Sequence, residues 1–191
     1  MADSFDMNYM PGSTLEVFQR LKSQAFISRF TLVGETALAI QIRHRLSEDL
    51  DFISDEEEIN TNLIKRNISK IFPDYRIIRQ DHSFTASKIH IARAKIIAVL
   101  KFSAIAQRNT FRDYYDLYCL SRYHYSLLDL INLAKEMLPN LSPVTYTETL
   151  VYTKDIEEDD ISAHLSPTHN VTKEQIASFF SQELVKIKEQ I

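Results

Sequence analysis

The chain has 191 residues, 45% hydrophobic and 25% charged, with a formal net charge of −4. Those fractions exclude collagen-like, low-complexity and fully disordered classes, and the length suffices for a real core. The acidic balance argues against a surface coated throughout with nucleic acid but leaves room for a local basic groove.

The first dozen residues read as a loose leader, and Met1 to Asp6 lack the charged and apolar regions of a secretory signal. Gly12-Ser13-Thr14 offers a helix start, continued by Leu15, Phe18, Leu21 and Ala25 at helical spacing. Residues 30–33 form a short apolar run that ends at Gly34 and reads as a buried strand. Residues 36–43 read as a helix, residues 48–54 as an alternating strand, and residues 55–58 as an acidic loop. An amphipathic helix over 63–72 is stopped by Pro73, and residues 75–78 and 88–91 are further strand candidates.

From Ala92 the pattern changes. Residues 92–107 form a breaker-free apolar helix, followed by helices over 112–123 and 126–137 and a linker over 139–143. The lone Cys119 excludes an internal disulfide framework and a thiolate metal cluster, and suits a reducing cytosol. Residues 157–160 and Ser166-Pro167 read as loop, and the sequon at Asn170 as chance. Thr172 with Gln175 makes a capping box for a last helix over 173–190, whose apolar stripe faces its own domain or a partner. No stretch approaches the ~18 uninterrupted apolar residues of a membrane span, so a cytoplasmic protein is expected. The division is an α/β module over 1–92 and a helical module over 93–191.

The stretch 32–52, LVGETALAIQIRHRLSEDLDF, carries most of the chemistry. Gly34 stands where a strand turns into a helix, a place where backbone N–H groups and the helix dipole favour a phosphate. A turn that needs glycine for its dihedrals is the plainer alternative. On a strand, Asp49 and Asp51 project to one face while Leu50 and Phe52 turn to the core. Two like charges side by side are relieved by a cation, and Mg²⁺ suits oxygen ligands shared with phosphates. A solvated strand face is the alternative. In the second half, Lys101, Ala104 and Arg108 share a helix face that would meet a triphosphate, or simply face water. Asp113 and Asp116 share a face of the next helix, with Asp113 serving otherwise as a helix-start charge or a salt-bridge partner of Arg112. Tyr114, Tyr115, Tyr118, Tyr123 and Tyr125 read as core aromatics before base-stacking ones.

Residues 32–39 (LVGETALA) with 44–52 (HRLSEDLDF) resemble the signature of the AbiEii-like nucleotidyltransferases, toxins of type IV toxin–antitoxin and abortive-infection systems. Members of that family typically read LVGGTALAL and then HR-x-S-x-DLDFF. Lys101, Ala104, Arg108, Arg112, Asp113, Asp116 and Leu117 resemble its second signature. The resemblance implies an α+β protein of the DNA polymerase β-like nucleotidyltransferase fold. That fold is a mixed sheet with flanking helices, followed here by a helical module that completes the cleft. It further implies Mg²⁺, or alternatively Mn²⁺, on Asp49 and Asp51, with Lys101 and Asp113 joining them in catalysis. Gly34, Glu35, Thr36, Arg45, Ser47, Arg108, Arg112 and Asp116 would bind the nucleotide. An NTP would supply the nucleotidyl group to a hydroxyl acceptor such as RNA or tRNA, and a cognate antitoxin would be the protein partner. Arg43, Arg45, Lys101, Arg108 and Arg112 would form a basic rim for the acceptor.

The chain departs from the pattern at Glu35, where the family has Gly or Ser. The family's third carboxylate, on a later strand, has only His90 or Asp81 as counterparts. These departures motivate a second reading, a protein of the same fold that binds nucleotide or a partner without turnover.

Overall fold

The computed structural model describes residues 5–54, 56, 58–76, 90–154, 156 and 165–188. The first half runs α1 (Gly12–Lys22), β1 (Thr31–Val33), α2 (Gly34–Ile42), β2 (Asp51–Ile53) and α3 (Thr61–Ile71). The second runs β3 (His90–Ile91), α4 (Ala94–Ile105), α5 (Phe111–Tyr123), α6 (Leu127–Met137), α7 (Pro143–Val151) and α8 (Lys173–Lys188). The class is α+β, dominated by helices.

The sheet has the order β2-β1-β3. β1 pairs antiparallel with β2, setting Leu32 opposite Phe52 and Val33 opposite Asp51. It pairs parallel with β3, setting Thr31 opposite His90. β2 is shorter than the alternation over 48–54 suggests, for a physical reason. β1 ends at Val33, so no strand remains to pair with Asp49. The carbonyls of Glu48 and Asp49 accept instead from the Thr14 and Thr36 hydroxyls. Leu50 and Phe52 pack against the core, as the alternation requires.

α2 is the central helix, with Ala37, Leu38, Ala39 and Ile40 fully buried. It ends at Arg43, which caps it in the left-handed region with φ 59°. Gln41 clamps α2 to the start of α4: its Nε2 donates to the Ala92 carbonyl at 2.9 Å and its Oε1 accepts from the Ala94 amide at 3.0 Å. One core runs through both halves of the chain, from Leu32 and Leu38 through Ile97 and Phe102 to Leu117 and Phe180. A second cluster joins Leu21, Ile27 and Phe30 to Ile64, Ile68 and Ile71 of α3.

The capping box of α8 forms as read, with Thr172 N donating to Gln175 Oε1 at 2.9 Å and Gln175 N to Thr172 Oγ1 at 3.3 Å. Ile176 and Phe180 of α8 are buried in the main core, so its stripe faces the chain itself. α7 is an element the sequence reading left within the stretch after the linker; it buries Tyr146 and Leu150, one helical turn apart. The strand candidate at 75–78 shows no strand at Tyr75 and Arg76, and Ile77 and Ile78 lie outside the described residues. Lys88, Ile89, Asp81 and residues 157–160 lie outside them too. Among the described residues, no helix is long and apolar enough to cross a membrane.

Candidate active site

β1 passes directly into α2 at Gly34, whose φ of 67° lies in the left-handed region. The register that sets Val33 against Asp51 folds the Asp51 carboxylate over this glycine. A Cβ at Gly34 would overlap Asp51 Oδ2 and stand 3.1 Å from Asp51 Cγ. Glycine is therefore required both by its dihedrals and by the approach of a carboxylate. Asp49 and Asp51 are both on the exposed side of this rim. Partial withdrawal from water, followed by the charges of Asp49 and Glu35, pushes the Asp51 carboxyl up from its ordinary range.

The facing rim comes from the second half of the chain. α4 supplies Lys101, the turn after it supplies Arg108, and the first turn of α5 supplies Arg112. Arg108 lies beyond the end of α4, so it does not share a continuous helix face with Lys101, yet the turn carries it into the same cleft. Between the rims is a cleft of about 330 Å³. Leu100, an apolar residue left 39% exposed, forms part of its wall.

Beneath the cleft is a buried ion network. Lys101 Nζ donates to Asp113 Oδ1 at 2.6 Å and lies 2.7 Å from Asp116 Oδ2 and 3.2 Å from Glu35 Oε1. Arg45 forks onto Asp116, Nε to Oδ1 at 2.9 Å and Nη2 to Oδ2 at 3.0 Å, and its Nη2 also reaches Glu35 Oε2 at 2.6 Å. Arg108 Nε and the Thr110 hydroxyl both donate to Asp113 Oδ2, at 2.8 and 2.6 Å. His44 Nε2 meets Asp116 Oδ1 at 2.7 Å, and its ring stacks on Tyr115. Burial alone would push Asp113 and Asp116 up. Lys101 with its hydrogen-bonding neighbours outweighs burial at Asp113, and Arg45 with Lys101 outweighs it at Asp116, so both carboxyls are held below the ordinary range. Lys101 is held fully protonated, because the three carboxylates outweigh its desolvation.

The expected site residues thus divide. Gly34, Glu35, Asp49, Asp51, Lys101, Arg108 and Arg112 converge on the cleft. Asp113 is buried just below it, with Lys101 and Arg108 as partners. Thr36, Ser47, Arg45 and Asp116 are buried away from its surface. The Thr36 hydroxyl donates to the Asp49 carbonyl and accepts from the Ser47 hydroxyl at 2.8 Å, so the two hydroxyls pin the segment that leads into β2 and do not face a phosphate. Arg45 is 0% exposed and Arg43 pairs with Asp6 at 3.4 Å, which reduces the basic rim at the cleft to Arg108 and Arg112 with Lys101 at its floor. The solvated alternative for Lys101 does not hold, since it is 4% exposed. Tyr114, Tyr115 and Tyr118 are core residues, while Tyr123 is 48% exposed.

Thr110 is a cleft residue the sequence reading passed over. Its signal was a threonine just before the helix start with an aspartate three positions on, the spacing of a capping motif. Of the acidic groups, Glu35, Asp113 and Asp116 bring oxygens within 4.8 Å of one another, but the Lys101 ammonium and the Arg45 guanidinium already fill the space among them. Asp49 and Asp51 are different: they offer hard oxygen donors in the open cleft, and the repulsion that Asp49 and Glu35 add to the effect of burial at Asp51 comes from negative charge that a divalent cation would relieve.

The sequence model of one family, described as the nucleotidyl transferase AbiEii toxin of a type IV toxin–antitoxin system, matches residues 75–184, more than half of the chain. The chain belongs to the AbiEii nucleotidyl transferase toxin family. The matched stretch contains Lys101, Arg108, Arg112, Asp113 and Asp116, while Gly34, Asp49 and Asp51 lie before it. The chain is also 29% identical to an uncharacterized protein of Aquifex aeolicus strain VF5 over 201 residues, covering 91% of this chain and 94% of that one. No solved structure matches it significantly. As a member of the AbiEii family the protein is assigned, in general terms, to nucleotidyl transfer in a toxin–antitoxin setting.

Proposed function

We propose that this AbiEii family protein transfers a nucleotidyl group from an NTP to a hydroxyl acceptor, with RNA, tRNA in particular, as the acceptor class. The fold would be the DNA polymerase β-like one, with the module over 1–92 and the helical module over 93–191 contributing opposite rims. The carrying observation is the register that lays Asp51 over Gly34, beside Asp49 and across the cleft from Lys101, Arg108 and Arg112.

Asp49 and Asp51 would hold Mg²⁺ or Mn²⁺, which would neutralise phosphate charge and favour pyrophosphate as the leaving group. Arg108 and Arg112 would take phosphate oxygens as donor forks from the opposite rim. Leu100 offers the base an apolar wall. Lys101 would supply a fixed charge from the floor, held in place by Asp113 and Asp116, which act as positioning residues. The N-terminal end of α2 at Gly34 faces the same space and favours an anion there. A cognate antitoxin as partner and a cytoplasmic location complete the proposal.

The test is incubation of the protein with labelled NTPs, Mg²⁺ and total RNA, beside Asp49→Ala and Asp51→Ala. Label transfer by the wild type, reduced at least ~100-fold in either variant, is the expected outcome. Transfer that survives both substitutions rejects the cation assignment. Nucleotide binding with no product under any condition favours the second reading, a binding protein without turnover, for which Glu35 in the phosphate turn is the specific observation.

A further inference from the structure

Glu35 is in the first turn of α2, where unpaired backbone N–H groups and the helix dipole favour an anion. Its carboxylate joins cations from three directions: Lys101 at 3.2 Å, Arg45 at 2.6 Å and Arg112 at 3.8 Å. Three carboxylates surround Lys101, but their accessibility differs. The Asp113 and Asp116 side chains are 0% exposed, whereas Glu35 keeps 17% exposure and lines the cleft. Glu35 alone of the three therefore has open space to turn into.

Its departure would leave no buried cation without a partner. Arg45 would keep Asp116 at 2.9 and 3.0 Å, and Lys101 would keep Asp113 at 2.6 Å and Asp116 at 2.7 Å. The charges that line the cleft also balance formally, Glu35, Asp49 and Asp51 against Lys101, Arg108 and Arg112. With Glu35 in place, Lys101 and Arg112 already face a carboxylate when a polyphosphate arrives. With Glu35 turned out, the same cations are uncovered at the end of a helix dipole.

We propose that Glu35 is a built-in competitor for the nucleotide's phosphates. Its carboxylate occupies the anion seat formed by Lys101, Arg112 and the start of α2, and it must swing out before a polyphosphate group takes that seat. This rests on the nucleotide reading of the cleft and adds to it a device that sets affinity. Glu35 touches the phosphate-binding cations and reacts with nothing, so its effect lies in binding.

The probe is inorganic tripolyphosphate, titrated calorimetrically into wild type, Glu35→Gln and Glu35→Ser at low and moderate salt, with the NTP transfer assay in parallel. Removal of one competing carboxylate at this range is expected to tighten tripolyphosphate binding about tenfold or more, with the gain shrinking as salt rises. A residue that served only to hold the fold would weaken binding when replaced. Unchanged or weaker binding in the folded variants therefore overturns the proposal. Should both variants fail to fold, a crystal structure of the wild type with tripolyphosphate decides. Glu35 outside ion-pair distance of Lys101, with phosphate in its place, supports the proposal; Glu35 still on Lys101 overturns it. A wild type that transfers label, with variants that bind no better, removes the competitor and leaves the enzyme. Failure of every form to bind either tripolyphosphate or NTP removes both.

Discussion

Asp116 touches no part of the cleft surface, yet three side chains depend on it: His44, Arg45 and Lys101. A buried ion pair contributes little relative to a well-packed apolar substitute, but loss of one partner leaves the other charge uncompensated in a poor solvent for ions. Asp116→Ala is expected to lower unfolding free energy by about 3–5 kcal/mol, measured by urea denaturation. A loss below ~1 kcal/mol would falsify the view that Asp116 anchors the network. Gly34 shows how function and fold meet at one position. The same residue gives the chain its left-handed turn and leaves room for a carboxylate. Glycine at 34 was legible in the sequence as a turn; that the group crowding it is Asp51 was not, because strand register settles that.

Helix-scale features were the most legible. The breaker-free apolar run of α4, the helices α5 and α6 and the Thr172–Gln175 box were all read locally, since each depends on residues within one or two turns, while Ser126, read as the first residue of its helix, turns out to be its cap. α7 carried a usable signal, a serine followed by Pro143 at the first helical position, although its buried pair of Tyr146 and Leu150 is too short a pattern to stand out. α8 closes the main core against α5 and α7. Thr172→Ala is expected to cost about 1 kcal/mol through the cap alone. Phe180→Ala, which opens a cavity in the main core, is expected to cost about 3–5 kcal/mol. Thermal and urea melts of the pair check the ranking. Equal effects would mean that α8 is held by its start and not by its buried stripe.

For the molecule as a whole, the buried network makes stability depend on pH in two stages. Burial chiefly lowers the His44 pKa from its ordinary value near 6.5, with Arg45 and Lys101 adding to that and Asp116 opposing it. Among the described residues its Nδ1 finds no hydrogen-bond partner, so a second ring proton would have no acceptor. The unfolded chain therefore takes up this proton at higher pH than the folded one. Stability from His44 is fully present above about pH 6.5 and is lost as pH falls towards the lower folded value, by up to ~1.4 kcal/mol per pH unit. His124, also lowered by burial, acts in the same direction. Asp113 and Asp116 have folded values below the ordinary 3.8, so their contribution is present above that pH and is lost only as pH falls further. Urea titrations from pH 8 to 3 should show a first decline below 6.5 and a second below about 4. His44→Gln should shrink the first decline to the part that His124 supplies; a first decline unchanged in that variant assigns it elsewhere.

Local chemistry was enough to place Gly34 at a strand-to-helix turn, to single out Asp49 and Asp51 as a carboxylate pair, and to set Lys101 on one helix and Asp113 and Asp116 on the next; Arg108 instead falls in the turn between them. Local chemistry reaches that far because dihedral preference, side-chain alternation and helical period act over a few residues. The division between cleft and foundation lay beyond it. Glu35 meets Lys101 across 66 positions and Arg45 meets Asp116 across 71, so packing of α2, α4 and α5 against one core determines which charges face water and which face each other. A cation or a hydroxyl carries the same letter in either place, and only burial separates a phosphate ligand from the counterion beneath it.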